Sequence, residues 1–483
     1  MKKTLLFLGW LGLAAGAAAQ TPNLGPWVEV NTVNPMTIAP GYVVTDVKSV
    51  SANVAWAVTR ENSASGQSNT FLVTNNAAGD QFNFGVISAP TGSANFQAGN
   101  ISAVSATVAV AAMYPAAAGT AGGEILRTAN GGVTWTKATT TTQFLARLGG
   151  FCNFVHMFDA LVGVALGDPT NGSYEILRTT DGGLTWTRLP ASSSPAPLTD
   201  EFGNARSFFA RGNTIWAGLA SATATNAVRV LKSTDRGLTW TAGQATPLKG
   251  SITRLAFKDD LNGIAFNEEG TSAGITAINV IRTADGGATW STITPVNNLA
   301  GSFFYLDIDA VNGRYYSVGE RFPLTTPQPV ATDFGSSFST DGINWTNLHV
   351  GREFTRFDLI ELGAANATGY AGSVTSAQGV GGMFKAGSVL TATRDAALQR
   401  VLSVYPNPSA SGVFTVDLGS VLKAGAQLTV VDALGRLVKS QTLNASAIGS
   451  KMLNLDLGSE KAGVYTLQIR TEAGIATQKL VIE

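Results

Sequence analysis

Between residues 27 and 395 the chain is written in short runs of alternating apolar and polar side chains, bounded by Gly, Asn and Asp. Residues 153–159 are followed in this way by 162–166, residues 252–257 by 263–266, and residues 303–308 by 315–318. A period of two, enriched in β-branched and aromatic side chains, is the signature of half-buried strands. No apolar pattern of helical period runs for any length. These positions predict an all-β domain.

One motif recurs within the pattern. It stands at residues 124–135 (EILRTANGGVTW), 175–186 (EILRTTDGGLTW), 229–240 (RVLKSTDRGLTW), 279–290 (NVIRTADGGATW) and, one residue shorter, 336–345 (SSFSTDGINW). Its tryptophans, Trp135, Trp186, Trp240, Trp290 and Trp345, lie 51, 54, 50 and 55 residues apart. An interval of about fifty residues fits one four-stranded propeller blade. Within each copy an apolar strand end meets a turn and then an alternating strand start. Asp181, Asp235, Asp285 and Asp341, with Asn130 in the first copy, can accept backbone N–H groups of their own turn. Gly132, Gly183, Gly237 and Gly287 can supply the positive φ of the reversal, and the Trp packs on the sheet. Every motif residue thus has a structural task, which argues against a ring of catalytic or metal-binding acids.

Weaker copies extend the series. Phe82 stands 53 residues before Trp135, where a Trp would be, and residues 383–385 align with 125–127. The last unit has Thr393 at its Trp position and lacks a final strand, whereas residues 27–30 look like an orphan fourth strand. Pairing the two closes a ring of seven blades with no free edge. Six blades, or closure by residues near 389–393, are the alternatives.

The chain ends carry other signals. Met1-Lys2-Lys3-Thr4, the apolar run 5–15 and the small residues 16–19 have the form of a secretory signal peptide cut after Ala19. No second apolar stretch is long enough to span a bilayer, so no transmembrane segment is expected in the mature chain. After a polar stretch at 393–400, expected as a linker over 396–400, residues 401–483 change pattern. Tyr405-Pro406-Asn407-Pro408 is followed by short alternating strands at 412–416, 428–438, 453–457, 462–469 and 478–483. Their spacing predicts a small Ig-like β-sandwich.

Charge and composition narrow the function classes. Charged residues are 13% of the chain, and 32 basic residues balance 32 acidic ones. That balance points to no nucleic-acid or anionic-membrane partner. Cys152 is the only cysteine, so no disulfide forms within the chain, and its apolar surroundings suit a buried, inert thiol. With two histidines and no ligand-spaced motif, neither a metal site nor a cofactor is expected.

The repeated motif resembles the Asp-box, or BNR, repeat of sialidases, sortilin-type receptor domains, some glycoside hydrolases and the propeller factors of photosystem II assembly. The resemblance covers residues 27 to 395 and implies the propeller fold; the box itself lies on turns away from the sites those families use. Tyr-Pro-Asn-Pro at 405–408, Asp-x-x-Gly-Arg at 432–436, Gly-x-Tyr-x-Leu at 463–467 and the terminal Lys-Leu-Val-Ile at 479–482 resemble the type A sorting domain of the type IX secretion system. That resemblance implies a Bacteroidetes-type bacterium, the type IX machinery as partner, passage through the periplasm, and release or display at the outer-membrane surface.

The sialidase resemblance implies an arginine triad, a Tyr–Glu nucleophile pair and an early Arg-Ile-Pro motif. The early motif is missing, and Arg60, Tyr114, Arg206, Tyr305, Glu320 and Arg356 cannot be assigned to those roles. A propeller's binding face is expected on the loops that enter each blade and those joining its second and third strands, opposite the Asp boxes. There Arg60, Asp168, Glu268, Glu320 and Arg321 gather charge in a charge-poor domain, as candidate ligand-face residues. No catalytic residue is assigned. The leading expectation is a secreted glycan- or protein-binding propeller. A polysaccharide-active glycoside hydrolase and an assembly factor like those of photosystem II are the alternatives.

Overall fold

The computed structural model describes residues 24–30, 42–61, 69–88, 95–117, 119–271, 274–293, 302–321, 330–362, 366–374, 382–388, 396–419, 426–432, 437–443, 449–471 and 474–483. The expected signal peptide lies outside them, as do residues 389–395 and 433–436. The chain divides into two compact units, Met1–Ser388 and Val389–Glu483.

The first unit opens with strand β1 (Leu24–Glu29). Seven four-stranded sheets follow in its described residues, six of them simple antiparallel meanders. The first meander comprises β2 (Tyr42–Ser51), β3 (Val54–Glu61), β4 (Thr70–Thr74) and β5 (Phe82–Val86). The second comprises β6 (Phe96–Ala103), β7 (Ala109–Pro115), β8 (Glu124–Thr128) and β9 (Thr136–Lys137). The third comprises β10 (Cys152–Met157), β11 (Gly163–Thr170), β12 (Ser173–Thr179) and β13 (Thr187–Arg188). The fourth comprises β14 (Glu201–Arg211), β15 (Thr214–Ser221), β16 (Val230–Ser233) and β17 (Thr241–Ala242). The fifth comprises β18 (Arg254–Phe257), β19 (Gly263–Thr271), β20 (Gly274–Thr283) and β21 (Ser291–Thr292). The sixth comprises β22 (Phe303–Val311), β23 (Arg314–Arg321), β24 (Phe334–Ser339) and β25 (Thr346–Val350).

The seventh sheet is composite. Strands β26 (Arg356–Glu361), β27 (Ala367–Gly372) and β28 (Met383–Ser388) are completed by β1, which pairs antiparallel with β28 at Trp27↔Ala386 and Glu29↔Phe384. The orphan strand near Trp27 is therefore the outer strand of the last sheet, and the two ends of the propeller hold each other. Trp27 also takes the place of the missing motif Trp, packing 5.7 Å from Phe354 and 6.5 Å from Phe357.

The core of this unit lies between neighbouring sheets. Trp135 of the second sheet packs against Trp56 and Phe71 of the first, while Trp240 of the fourth shares an apolar cluster with Phe154 and Leu166 of the third, and Trp345 of the sixth shares one with Phe266 of the fifth. The first and last sheets meet the same way, with Phe82 edge-on to Tyr370 at 5.9 Å. Each large ring removed from water between sheets stabilises by roughly 2–3 kcal/mol. Cys152 is buried here without a disulfide partner, and burial pushes its thiol up.

The second unit starts with helix α1 (Ala396–Val401). Strands β29 (Ser403–Tyr405), β30 (Val413–Asp417), β31 (Gln427–Asp432), β32 (Leu437–Thr442), β33 (Met452–Asp456), β34 (Gly463–Thr471) and β35 (Gly474–Ile482) follow. They form sheets in the orders β29-β30-β33 and β32-β31-β34-β35, around Phe414, Val416, Leu428, Val430, Leu467, Ile469 and Leu480. Residues 396–400 are thus not a free linker. They are helical, Leu398 is fully buried in this core, and Gln399 exchanges hydrogen bonds with Thr477.

Candidate functional site

Two sets of acidic side chains organise the propeller, and only one lies near a cavity. The first is the repeated motif, at the turns between third and fourth strands. Asp181 accepts from the Thr185 amide at 3.0 Å, the Thr185 hydroxyl at 2.6 Å and the Thr179 hydroxyl at 2.7 Å. Asp235 and Asp285 repeat this arrangement with Thr239 and Thr289. Asp341 takes the amides of Ile343 and Asn344 in its shortened turn. Asn130 accepts the Thr134 amide at 3.0 Å and donates to its hydroxyl at 2.9 Å. Gly132, Gly183, Gly237 and Gly287 all take positive φ, between 76° and 94°. Bonds from Thr289 hold the Asp285 carboxyl down to about 2, and Asp181, against the pull of its partial burial, is held there by Thr185 and Thr179. With its bonding capacity used inside one turn, each of these acids is a turn pin.

The second set lies on the innermost strands. The first strand of each sheet points alternate side chains at the ring axis, at two levels. Asp46, Asn100, Arg206, Arg254, Asp307 and Arg356 form one level, and Lys48, Ser102, His156, Phe208, Asp309 and Asp358 the next. Together they line an axial cavity of about 830 Å³. Its lining continues to Gly212, Asn213, Asp260 and Glu361, exposed residues at or beside the first-to-second-strand hairpins. Those hairpins share a face with the Asp boxes, so the cavity opens on the Asp-box side and the arginine level is its inner end.

Most of the acids on this wall are occupied in holding the ring together. Inner strands of neighbouring sheets form no ladder with one another, so their facing N–H groups need other acceptors. Asp46 accepts from the Ile101 amide at 2.8 Å, Asn100 from Val155 at 3.0 Å, and Ser102 from Met157 at 2.9 Å. Asp307 accepts from Phe357 at 3.2 Å, Asp309 from Leu359 at 2.6 Å, and Asp358 from Ser49 at 2.6 Å. Each bond links one sheet to the next, and the last closes the seventh onto the first. Lys48 adds an ion pair to Asp358 at 3.0 Å. Burial dominates the electrostatics here: it pushes the Asp46 carboxyl up to about 7, against the Ile101 amide and Arg206, and raises Asp309 beside Asp358. His156, half-buried and facing Lys48, is lowered by desolvation to about 3 and is neutral at physiological pH.

Irregular backbone places Arg206 and supplies the carbonyls that receive Arg356, whereas Arg254 and Arg356 themselves stand in regular ladders. Inner strands β2, β6, β10, β14 and β22 each carry a register shift just before their axial residues, and such bulges re-aim side chains. The largest is in β14, where four residues, 204–207, stand opposite Gly218 alone. A Cβ on Gly218 would lie 2.3 Å from the Ser207 hydroxyl, so only glycine leaves room. At the crest of this bulge Arg206 adopts φ 61°, unusual for a non-glycine residue. Its Nη1 crosses the axis to the Thr45 carbonyl at 2.8 Å. Arg356 Nε donates to the same carbonyl at 3.1 Å and its Nη1 to the Leu306 carbonyl at 2.9 Å. Thr45 and Leu306 are themselves bulge residues, whose carbonyls the ladder leaves available. Arg254 pairs with Asp307 at 3.3 Å. Burial and the facing Arg254 pull the Arg356 guanidinium down to about 9, still a cation at neutral pH.

The five residues expected on a ligand face sit elsewhere. Arg60, Asp168, Glu268 and the pair Glu320–Arg321 occupy the far ends of second strands in four different sheets, and none lines the axial cavity. Asp168 borders a separate hollow of about 390 Å³ with Asp200, Glu201 and Phe202. Burial raises its carboxyl to about 6 while Asn153 and the Gly203 amide bind it at 2.7 and 3.1 Å. Glu268 accepts from the Thr253 hydroxyl at 2.9 Å, and Arg321 lies over the Phe303 ring at 5.7 Å. The structure does not bring these five together. It brings together Arg206 and Arg356, which the sequence left without a role, with Arg254. A signal was available: Asp46-Val-Lys, Arg206-Ser-Phe, Asp307-Ile-Asp and Arg356-Phe-Asp put charge on the first strands of the first, fourth, sixth and seventh sheets. No group of His, Cys, Asp and Glu among the described residues is arranged to hold a metal ion.

Comparison with known proteins assigns the second unit. Residues 403–483 match the family described as secretion system C-terminal sorting domain. Such a tail implies export through the type IX secretion system to the cell surface or beyond. No helix of the described residues is long and apolar enough to cross a membrane. No curated protein matches the chain. Among solved structures, YCF48 from Cyanidioschyzon merolae is similar at 16% identity and a TM-score of 0.44, over 74% of this chain and 98% of that one. PorZ, a surface component of the type-IX secretion system of Porphyromonas gingivalis, is similar at 13% identity and 0.38, over 89% and 68%. The Hadza microbial sialidase Hz136 is similar at 10% identity and 0.41, over 72% and 66%.

Proposed function

We propose that this exported propeller is a binding module for an extracellular glycan or protein, and that its ligand enters the axial cavity from the Asp-box face. The observation that carries the reading is the cavity itself: about 830 Å³ of concave space lined by charged side chains in an otherwise charge-poor chain. The same face exposes Val133, Leu161, Leu184, Leu238 and Leu261, apolar side chains of the kind that supply contact area around a polar anchor. Screening the purified protein on glycan and protein arrays, with a parallel assay for glycan turnover, tests the reading. Binding without turnover is expected, weakened by Asn213→Ala and Glu361→Ala at the mouth. Asp168→Ala, Glu268→Ala, Glu320→Ala and Arg321→Ala are expected to leave it unchanged; the reverse pattern returns the site to the far rim.

One observation favours a second reading, a polysaccharide-active hydrolase. Asp46 and Asp309 have raised carboxyls on the cavity wall, and protonated carboxyls serve as general acids. Each also accepts a backbone amide of the next sheet, a task that ties its position to the frame. Turnover of any arrayed glycan, lost in Asp309→Asn, decides for this reading.

A further inference from the structure

We propose that Gln399, Asn407 and Ser409 are positioning residues of the export signal: they clamp strand β35 of the sorting domain, and the type IX machinery takes the chain only with that strand clamped. Strand β35 stands at the edge of its sheet and is laddered with β34 on one side. An edge strand ordinarily presents a row of unpaired N–H and C=O groups on its other side. Here that side is closed. The Gln399 side-chain amide donates to the Thr477 carbonyl at 2.9 Å and accepts the Thr477 N–H at 3.0 Å. The Asn407 side-chain amide donates to the Lys479 carbonyl at 2.6 Å and accepts the Val481 N–H at 2.9 Å. The Ser409 backbone completes the row, donating to the Val481 carbonyl at 2.9 Å and accepting the Glu483 N–H at 3.1 Å. A carboxamide offers an acceptor oxygen and an N–H donor, as a peptide group does. Two side chains and one residue of backbone thus stand in for a further strand.

The clamp joins pieces that lie far apart in sequence. Asn407 belongs to the Tyr-Pro-Asn-Pro motif at 405–408, and its partners Lys479 and Val481 belong to the Lys-Leu-Val-Ile run, 72 and 74 residues on. Two motifs at opposite ends of the domain are therefore one structure. Gln399 lies in α1, ahead of the residues 403–483 that match the sorting family, and its neighbour Leu398 is anchored in the core. The functional tail then begins at α1. Ser409, itself buried, is fixed by its hydroxyl, which donates to the Val413 carbonyl at 2.9 Å.

A partner that recognises β35 by strand addition needs unpaired ladder groups, and the clamp has taken them from Thr477 to Glu483. Side chains are left facing outward: Thr477, Lys479 and Glu483 are exposed and Val481 is half-buried. Held in one register they offer the machinery a fixed pattern, which an edge strand free to fray would not.

The test expresses the full chain in a bacterium with a type IX secretion system and measures the ratio of chain delivered to the surface and medium over chain retained in the periplasm. The double variant Gln399→Ala, Asn407→Ala is expected to lower that ratio at least tenfold at unchanged total. Asn407→Asp alone is expected to do nearly as much, because a carboxylate still accepts the Val481 N–H but repels the Lys479 carbonyl. The exposed control Lys461→Ala leaves the ratio unchanged. Hydrogen exchange on the purified full chain checks the cause. The Thr477 and Val481 amides are expected to be protected in the wild type and to exchange at least tenfold faster in the double variant, while the amides of β31 keep their protection. Should the double variant fail to fold, which lost protection in β31 would show, Gln399→Ala alone carries the comparison through Thr477. Normal delivery of a variant whose amides have been released overturns the proposal, as does retention with both amides still protected. Exchange equally fast in the wild type, or a wild type held in the periplasm, overturns it too. Ligand binding by the propeller enters none of these outcomes, so the clamp and the binding module stand or fall separately.

Discussion

The motif turns and the axial wall use the same bond to opposite electrostatic effect. In both, an Asp oxygen accepts a backbone N–H. At the turns the donors lie within four residues and the site is near solvent, so the Thr289 hydroxyl and amide hold Asp285 at about 2 with little opposing burial. At the axis the donor belongs to the next sheet, 55 residues away for Asp46 and Ile101, and burial lifts the carboxyl to about 7. Hydration, more than hydrogen bonding, sets which acids carry charge. A turn pin can be read as a stable anion. An axial latch holds strands together while surrendering part of its charge.

The largest expected effect breaks an axial latch. Asp358→Ala removes the acceptor of the Ser49 amide and the partner of Lys48 where the first and last sheets meet. Leaving a partly buried cation and an amide unpaired costs about 3–5 kcal/mol, to be read from the midpoint of equilibrium urea unfolding. A loss below about 1 kcal/mol would class this latch with surface pairs and erase the contrast. Asp181→Ala at a turn is expected to cost about 1 kcal/mol, the ordinary net value of such bonds. Asp181→Asn is expected to cost less than about 0.5 kcal/mol, because Asn130 already holds an equivalent turn.

The contrast also separates what could be read in the sequence from what could not. The motif turns were legible because donor and acceptor lie within one short motif, repeated five times. So was the pairing of the strand at Trp27 with the last sheet, since one copy lacked a strand and another strand lacked a copy. The axial wall was obscure for a physical reason. Its contacts join residues from about fifty to about three hundred positions apart, and Asp, Arg, Asn and Ser alternate there with no fixed residue type. Charge at loop ends drew attention to Asp168, Glu268 and Glu320, where exposed polar residues are expected in any case. Residues 396–400 were read as a linker because a six-residue helix with one buried anchor, Leu398, is too short to show a helical period.

The smallest effect at any one pH gives the sharpest test of the contrast. Asp46 has its folded-state carboxyl raised from 3.8 to about 7, chiefly by burial, with Arg206 lowering it and Asp307 and Asp358 raising it. Between those values the folded chain keeps a proton that the unfolded chain has released. Stability therefore falls as pH rises through this window, the reverse of the turn acids, whose contribution is lost as pH falls towards 2. Asp46→Asn retains an oxygen for the Ile101 amide and cannot ionise. Unfolding free energies at pH 4, 5.5 and 7 are expected to show the variant gaining on the wild type as pH rises. If it instead loses ground, Asp46 is ionised when folded and serves as the full counter-ion of Arg206.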